Sequence, residues 1–83
     1  MFYKRKGFLE EMNEEELITL KKKVRYFFQD RILVHIKKHN GYFHNGLILE
    51  IEGDLLILDD ERDGAMPIYF MEILEIEKRE ERK

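Results

Sequence analysis

From Arg31 to Glu77 the chain alternates sides every second residue and is broken at regular points by turn formers, which restricts it to a small, strongly curved sheet. Ile32, Val34 and Ile36 share one side of an extended segment, while Leu33, His35 and Lys37 share the other. A period of two marks a strand with one buried face. Asn40-Gly41 follows, and such a dipeptide supplies the positive φ angles of a type I′ hairpin turn, returning the chain as a second strand from Tyr42 to Glu52. Gly46 lies inside that strand with no side chain to pack, so it predicts a sharp bend. Glu52-Gly53-Asp54 forms the next corner, and Leu55-Leu56-Ile57-Leu58 reads as a third strand suited to burial on both sides. Asp59 to Ala65 then reads as a polar loop. Pro67, the single proline, opens a fourth strand, Ile68-Tyr69-Phe70, and a turn around Glu72 leads to a fifth, Ile73 to Glu77. Five short antiparallel strands in so short a segment must curl into a barrel.

One helix precedes this sheet. Asn13 stands at a helix N-cap with Glu16 three residues on, the pattern of a capping box, and Met12 and Leu17 are spaced for a hydrophobic staple. Leu17, Leu20, Val24 and Phe27 recur at helical spacing, flanked by Ile18 and Phe28, and make a stripe that needs a sheet to cover. Glu14, Glu15 and Glu16 sit at the positive end of the helix dipole, with Lys21, Lys22, Lys23 and Arg25 towards the negative end. That gradient accounts for the charge run as a solvated face; a phosphate contact is the sharper alternative. The expected organisation is an N-terminal arm at 1–12, a single domain at 13–78 with its helix at 13–29 and barrel at 31–78, and a charged tail at 79–83. The arm, Met1-Phe2-Tyr3-Lys4-Arg5-Lys6 onward, mixes basic and aromatic residues and suits either a mobile tail or a nucleic-acid contact.

Composition narrows the function. The 83 residues allow one domain with a modest core and no deep catalytic cavity. The chain has no cysteine and no serine, and its one threonine, Thr19, falls within the helix, so no activated nucleophile is available. No glycine-rich phosphate loop and no carboxylate pair in an implied pocket are present, which excludes the common enzyme classes. No cofactor is implied. His35, His39 and His44 all fall in the first hairpin, yet residues four apart on a strand stand roughly 13 Å apart, too far to share one ion. Asp59, Asp60, Glu61 and Asp63 are rich in oxygen but lack the alternating spacing of a calcium loop. No metal site is therefore expected. Nothing approaches the roughly 20 apolar residues of a membrane span, and no apolar stretch suited to a signal peptide follows the basic start, so a cytoplasmic protein is expected. Charged residues make up 40% of the chain, the Lys- and Glu-rich bias of proteins from hot environments. The net charge of −3 hides an asymmetry: residues 1–31 hold eight basic against six acidic side chains, and the remainder seven against twelve. Any phosphate-binding surface must be local.

The segment Ile32-Leu33-Val34-His35-Ile36, Asn40-Gly41, Gly46-Leu47-Ile48 and Ile68-Tyr69-Phe70-Met71-Glu72-Ile73-Leu74-Glu75-Ile76, with the helix before it, resembles the Sm-like proteins, and among them most closely the bacterial host-factor (Hfq) branch. The resemblance covers about half to two-thirds of the chain. It implies a helix-capped, five-stranded, strongly bent antiparallel SH3-like (Sm-like) barrel, mainly β. It also implies closed homo-oligomeric rings through pairing of the fourth strand of one protomer with the fifth of the next, and binding of single-stranded RNA without catalysis. Carried onto this chain, the family's RNA site falls on Tyr69 and on the corner Gly53-Asp54, with lateral phosphate contacts from Lys21, Lys22, Lys23 and Arg25. The subunit interface falls on Ile68, Phe70, Ile73 and Glu75. Where the family carries a Lys-His pair after the tyrosine, this chain has Phe70 and Met71, and Gly53-Asp54 replaces a polar residue and a base-stacking aromatic. The competing reading is therefore a protein-interaction or assembly module that keeps the barrel and has lost RNA recognition.

Overall fold

A computed structural model of the chain describes residues 12–80; the expected arm, apart from Met12, and the last three residues of the tail lie outside them. Helix α1 spans Glu14–Gln29. It is followed by β1 (Val34–Lys38), β2 (Phe43–Glu52), β3 (Leu55–Asp60), β4 (Gly64–Tyr69), a 3-10 turn (Phe70–Glu72) and β5 (Ile73–Lys78). All pairings are antiparallel and the strand order is β4-β3-β2-β1-β5, so the sheet is bent but not closed, with β4 and β5 as its two edges.

The helix begins as its sequence dictates. The Asn13 side chain accepts the Glu16 N–H at 2.7 Å while Glu16 Oε1 accepts the Asn13 N–H at 3.2 Å, satisfying two of the amides that a helix start leaves unpaired. Its end was less legible. Arg31 takes a left-handed φ of 53°, its N–H donates to Phe28 O, and the Ile32 N–H reaches back to Phe27 O at 3.0 Å. These two bonds make a Schellman ending with arginine where glycine is usual, at a cost of about 1 kcal/mol. The reversal turns Ile32 onto the core. Val24 and Phe27 are buried and Leu17, Leu20 and Phe28 pack beside them, whereas Ile18, expected at the stripe's flank, faces solvent.

The core lies between α1 and the concave side of the sheet, filled by Val34 and Ile36 of β1, Ile48 of β2, Leu56 and Leu58 of β3, Ile68 of β4 and Ile76 of β5. Leu55 and Ile57, on the other side of β3, are only half-buried, so that strand is covered mainly on one face. Two register shifts bend the sheet. One lies between Ile48 and Glu50 of β2 and leaves Leu49 exposed. The other, where β5 meets Lys37 and Lys38, leaves Leu74 exposed between buried Ile73 and Ile76. An extra residue on one strand increases local twist, which is how five strands curve this tightly.

Three turns differ from the expectation. In the β1–β2 hairpin only Gly41 has positive φ (95°), its N–H donates to Lys38 O, and the Lys38 N–H donates to Tyr42 O at 2.8 Å. This is a three-residue loop closed by a left-handed glycine, not a two-residue type I′ turn. Gly46 is required by close approach: a Cβ there would collide with the Asp59 carbonyl oxygen. The polar stretch Asp59 to Ala65 is mostly strand, because β3 continues to Asp60, β4 starts at Gly64, and only Glu61, Arg62 and Asp63 turn. Pro67 accordingly lies inside β4 opposite Ile57, tolerable because β4 is an edge strand. Phe70 belongs to the 3-10 turn and not to β4.

Candidate nucleic-acid interface

The 3-10 turn joins three distant parts of the chain. The Phe70 N–H donates to Asp54 O at 2.9 Å, fixing the β2–β3 corner against the end of β4. Leu55 lies opposite Tyr69, so Gly53, Asp54 and Tyr69 come together as the sequence suggested. The His39 N–H donates to Glu72 O at 3.0 Å, and the Glu72 carboxylate meets Lys38 Nζ at 3.3 Å and accepts the Tyr69 N–H at 3.3 Å. From the helix, Lys21 Nζ stands 5.9 Å from the centre of the Phe70 ring, at the outer range of a cation–π contact.

At this corner Tyr69 (48% exposed) and Met71 present apolar surface, but Phe70 is 3% exposed and serves the protomer's own core. Ile68 and Ile73 are buried as well. Of the four residues expected at a subunit interface, only Glu75 offers its side chain outward; the side chains of Ile68, Phe70 and Ile73 fill the protomer's own core. The Phe70 expectation fails because a strand reading takes its ring for an edge aromatic, whereas the 3-10 turn rotates it inward.

The basic run of α1 does not form one surface. Successive helical residues are about 100° apart, and the side chains diverge accordingly. Lys21 turns to Phe70 and Lys23 pairs with Glu77 at 3.0 Å, while Lys22 and Arg25, three apart, share the outward face. None of the four lies in the last helical turn, so the dipole explains less of the run than expected.

A second surface was missed by sequence reading. On the outer side of the β1–β2 hairpin, His35 pairs with Asn45 and Lys37 with Phe43. His35 Nδ1 lies 2.7 Å from Asn45 Oδ1, and the His35 and Phe43 rings are 5.2 Å apart, tilted by 45°. Phe43 is 55% and Tyr42 69% exposed. An exposed aromatic ring, Phe43, opposite Lys37, with Tyr42 exposed at the adjoining hairpin end, supplies the stacking and cationic groups that single-strand recognition uses. The signal was available: Phe43 falls on the same alternating face as Asn45, opposite the buried Gly46.

His44, on the inner side, approaches Asp60 at 3.3 Å through Nδ1, while its Nε2 is buried without a hydrogen-bond partner. Asp60 is 5% exposed, and its Oδ2 accepts the N–H groups of Arg62 and Asp63, each at 2.9 Å. Burial pushes the Asp60 pKa up, but the Asp63 and Arg62 amides, His44 and the Asn45 backbone outweigh it and hold the carboxyl below its ordinary value. One carboxylate of the acidic run is thus an internal fastener. The three histidines lie on opposite faces and in the turn. Among the described residues no group of three His, Asp or Glu side chains is placed to hold a metal ion.

A helix followed by a strongly bent, unclosed antiparallel sheet in the order β4-β3-β2-β1-β5 is the Sm-like fold. The chain is similar to a 1.55 Å crystal structure of the pleiotropic translational regulator Hfq, with a TM-score of 0.62 and 21% sequence identity over 70% of this chain and 95% of that one. At that identity the likeness establishes the fold. No protein-family model matches the sequence, and no curated protein does. No helix among the described residues is long and apolar enough to cross a membrane.

Proposed function

We propose that the chain is a non-catalytic, single-stranded RNA-binding protein that assembles head to tail into a closed ring. The observation that carries this reading is the pair of unpaired sheet edges. β4 and β5 stand at opposite ends of one bent sheet, each with an edge that no other described strand pairs and with Tyr69, Met71 and Leu74 exposed along or beside them. An open edge is a liability unless another strand covers it, and pairing two different edges of identical chains propagates a rotation that can close. The joint would be made by the outward backbone groups of β4 at Ala65, Pro67 and Tyr69 and by the backbone of Ile73, with Glu75 at its rim. RNA would use the exposed rings of Tyr42, Phe43 and Tyr69, with Gly53-Asp54 beside the last, and Lys37, Lys22 and Arg25 as phosphate contacts. Lys21 and Lys23 are engaged by Phe70 and Glu77 and contribute less.

The similarity to a translational regulator of the same fold supports this reading. A second reading, a protein-assembly module without RNA recognition, draws on the corner itself: Asp54 is exposed beside Tyr69, and Lys38 is neutralised by Glu72. Native mass spectrometry combined with filter binding to oligo-U and oligo-A separates the two. The expected result is one closed oligomer whose RNA affinity falls as salt rises, because neutralised phosphates release counterions. A ring that binds neither oligomer supports the assembly module, and a monomer that binds neither refutes both.

A further inference from the structure

Between α1 and β5 runs an open groove of about 390 Å³. Leu20, Leu74 and Ile76 supply its apolar surface, and Glu15, Glu16 and Glu75 stand along its rim. Lys23 and Glu77 neutralise each other at 3.0 Å, and Glu16 already serves the helix cap. Glu15 and Glu75 make no ion-pair contact among the described residues, Lys37 lying opposite Glu75 in the β1–β5 register, and the leucine beside them, Leu74, is half exposed. Such a groove fits an extended segment carrying large apolar side chains next to several cations.

The chain possesses one such segment. Residues 2–6 read Phe-Tyr-Lys-Arg-Lys, two aromatic residues followed by three basic ones. They precede Met12, and α1 starts at Glu14, one residue from the groove wall at Glu15. The wall from Glu15 to Lys23 is about 12 Å long at helical rise. Eleven residues reach at most about 36 Å when extended, enough to fold back along it. We propose that residues Phe2 to Lys6 of this chain dock in the groove between its own α1 and β5, with Phe2 and Tyr3 against Leu20 and Leu74 and with Lys4, Arg5 and Lys6 facing Glu15, Glu16 and Glu75. The occupant would cover the only part of β5's surface where an exposed leucine lies between carboxylates. The inference does not rest on RNA binding or on ring formation.

Zero-length carbodiimide cross-linking of the full chain tests it, with mass-spectrometric mapping and an equimolar mixture of ¹⁵N-labelled and unlabelled protein. The expected result is a link from Lys4 or Lys6 to Glu15, Glu16 or Glu75 within one chain, at a yield that falls several-fold in 0.5 M salt, a concentration chosen to shorten the screening length to about 4 Å. Leu74→Ser, an exposed position whose change leaves the carboxylates in place, should lower the yield several-fold with an unchanged circular dichroism spectrum. Links confined to residues 10, 11 and 14, links only between labelled and unlabelled chains, or a yield indifferent to Leu74→Ser would each overturn the proposal.

Discussion

Two hairpin turns share one rim of the sheet and are held in opposite ways. The β1–β2 turn is closed by local parts, since Gly41 supplies the left-handed residue and the exposed Asn40 side chain accepts the Tyr42 N–H at 3.0 Å. Its distant tether runs to the 3-10 turn, where Glu72 O accepts the His39 N–H. The β3–β4 turn is made of distant parts, since buried Asp60 bonds the Arg62 and Asp63 amides while leaning on His44 of β2, and the Glu61 N–H donates to Asn45 O at 2.8 Å. A turn that closes on itself leaves Tyr42 and Phe43 exposed beside it. A turn that closes on its neighbours is fastened to the sheet through one buried carboxylate, Asp60, although Glu61, Arg62 and Asp63 themselves stay exposed.

The contrast can be broken most severely at Gly46, which lies opposite Asp60. Gly46→Ala forces a Cβ into the Asp59 carbonyl and should cost roughly 3 kcal/mol or more by overpacking; a urea midpoint close to that of the unaltered chain would show that the two strands are not so tightly apposed. Asp60→Ala should cost roughly 2 kcal/mol, since it strands two amides and His44. The Asp60 pKa is lowered on folding, so its contribution is fully present above the unfolded value near 4 and is lost as pH falls through the lower folded value. Urea midpoints of the two proteins should therefore differ at pH 6 and draw together near pH 2; a gap independent of pH would refute the role of the ionised carboxylate.

At the other turn the effects move from folding to binding. Phe43→Ala should leave the thermal midpoint nearly unchanged and weaken oligonucleotide binding by about 1 kcal/mol or more, the range for one stacked base. Loss of stability without loss of affinity would place Phe43 with the structural residues. The smallest change is expected for Asn40→Ala, about 0.5 kcal/mol for one exposed hydrogen bond. A cost equal to that of Asp60→Ala would erase the distinction between the turns.

This difference also explains what could be read from the residues alone. The capping box at Asn13 and Glu16, the hairpin at Asn40-Gly41 and the alternation of Val34 with Ile36 are local, and each lies where it was expected. Asp59 to Ala65 reads as a loop because nothing in its composition says that one aspartate is buried beside a histidine sixteen positions earlier. Phe70 reads as an edge aromatic because period two was continued through a 3-10 turn, and Leu74 reads as part of an even alternation because a bulge leaves no mark on composition. At the candidate site, the meeting of Tyr69 with Gly53-Asp54 was legible through the fold, whereas the divergence of Lys21, Lys22 and Lys23 needed the helix's rotation against its neighbours.

Pro67 gives the β4 edge a property that no side chain confers. Its outer rim lacks one amide in the middle of a six-residue strand, and the next outward amide, that of Tyr69, is held by Glu72, so a joining strand finds its free donor at Ala65. Alignments that present a carbonyl to the gap forfeit a bond, and alignments that straddle it do not. A single imino acid thus makes the rim selective for register, admitting a matched neighbour while discouraging indiscriminate strand addition.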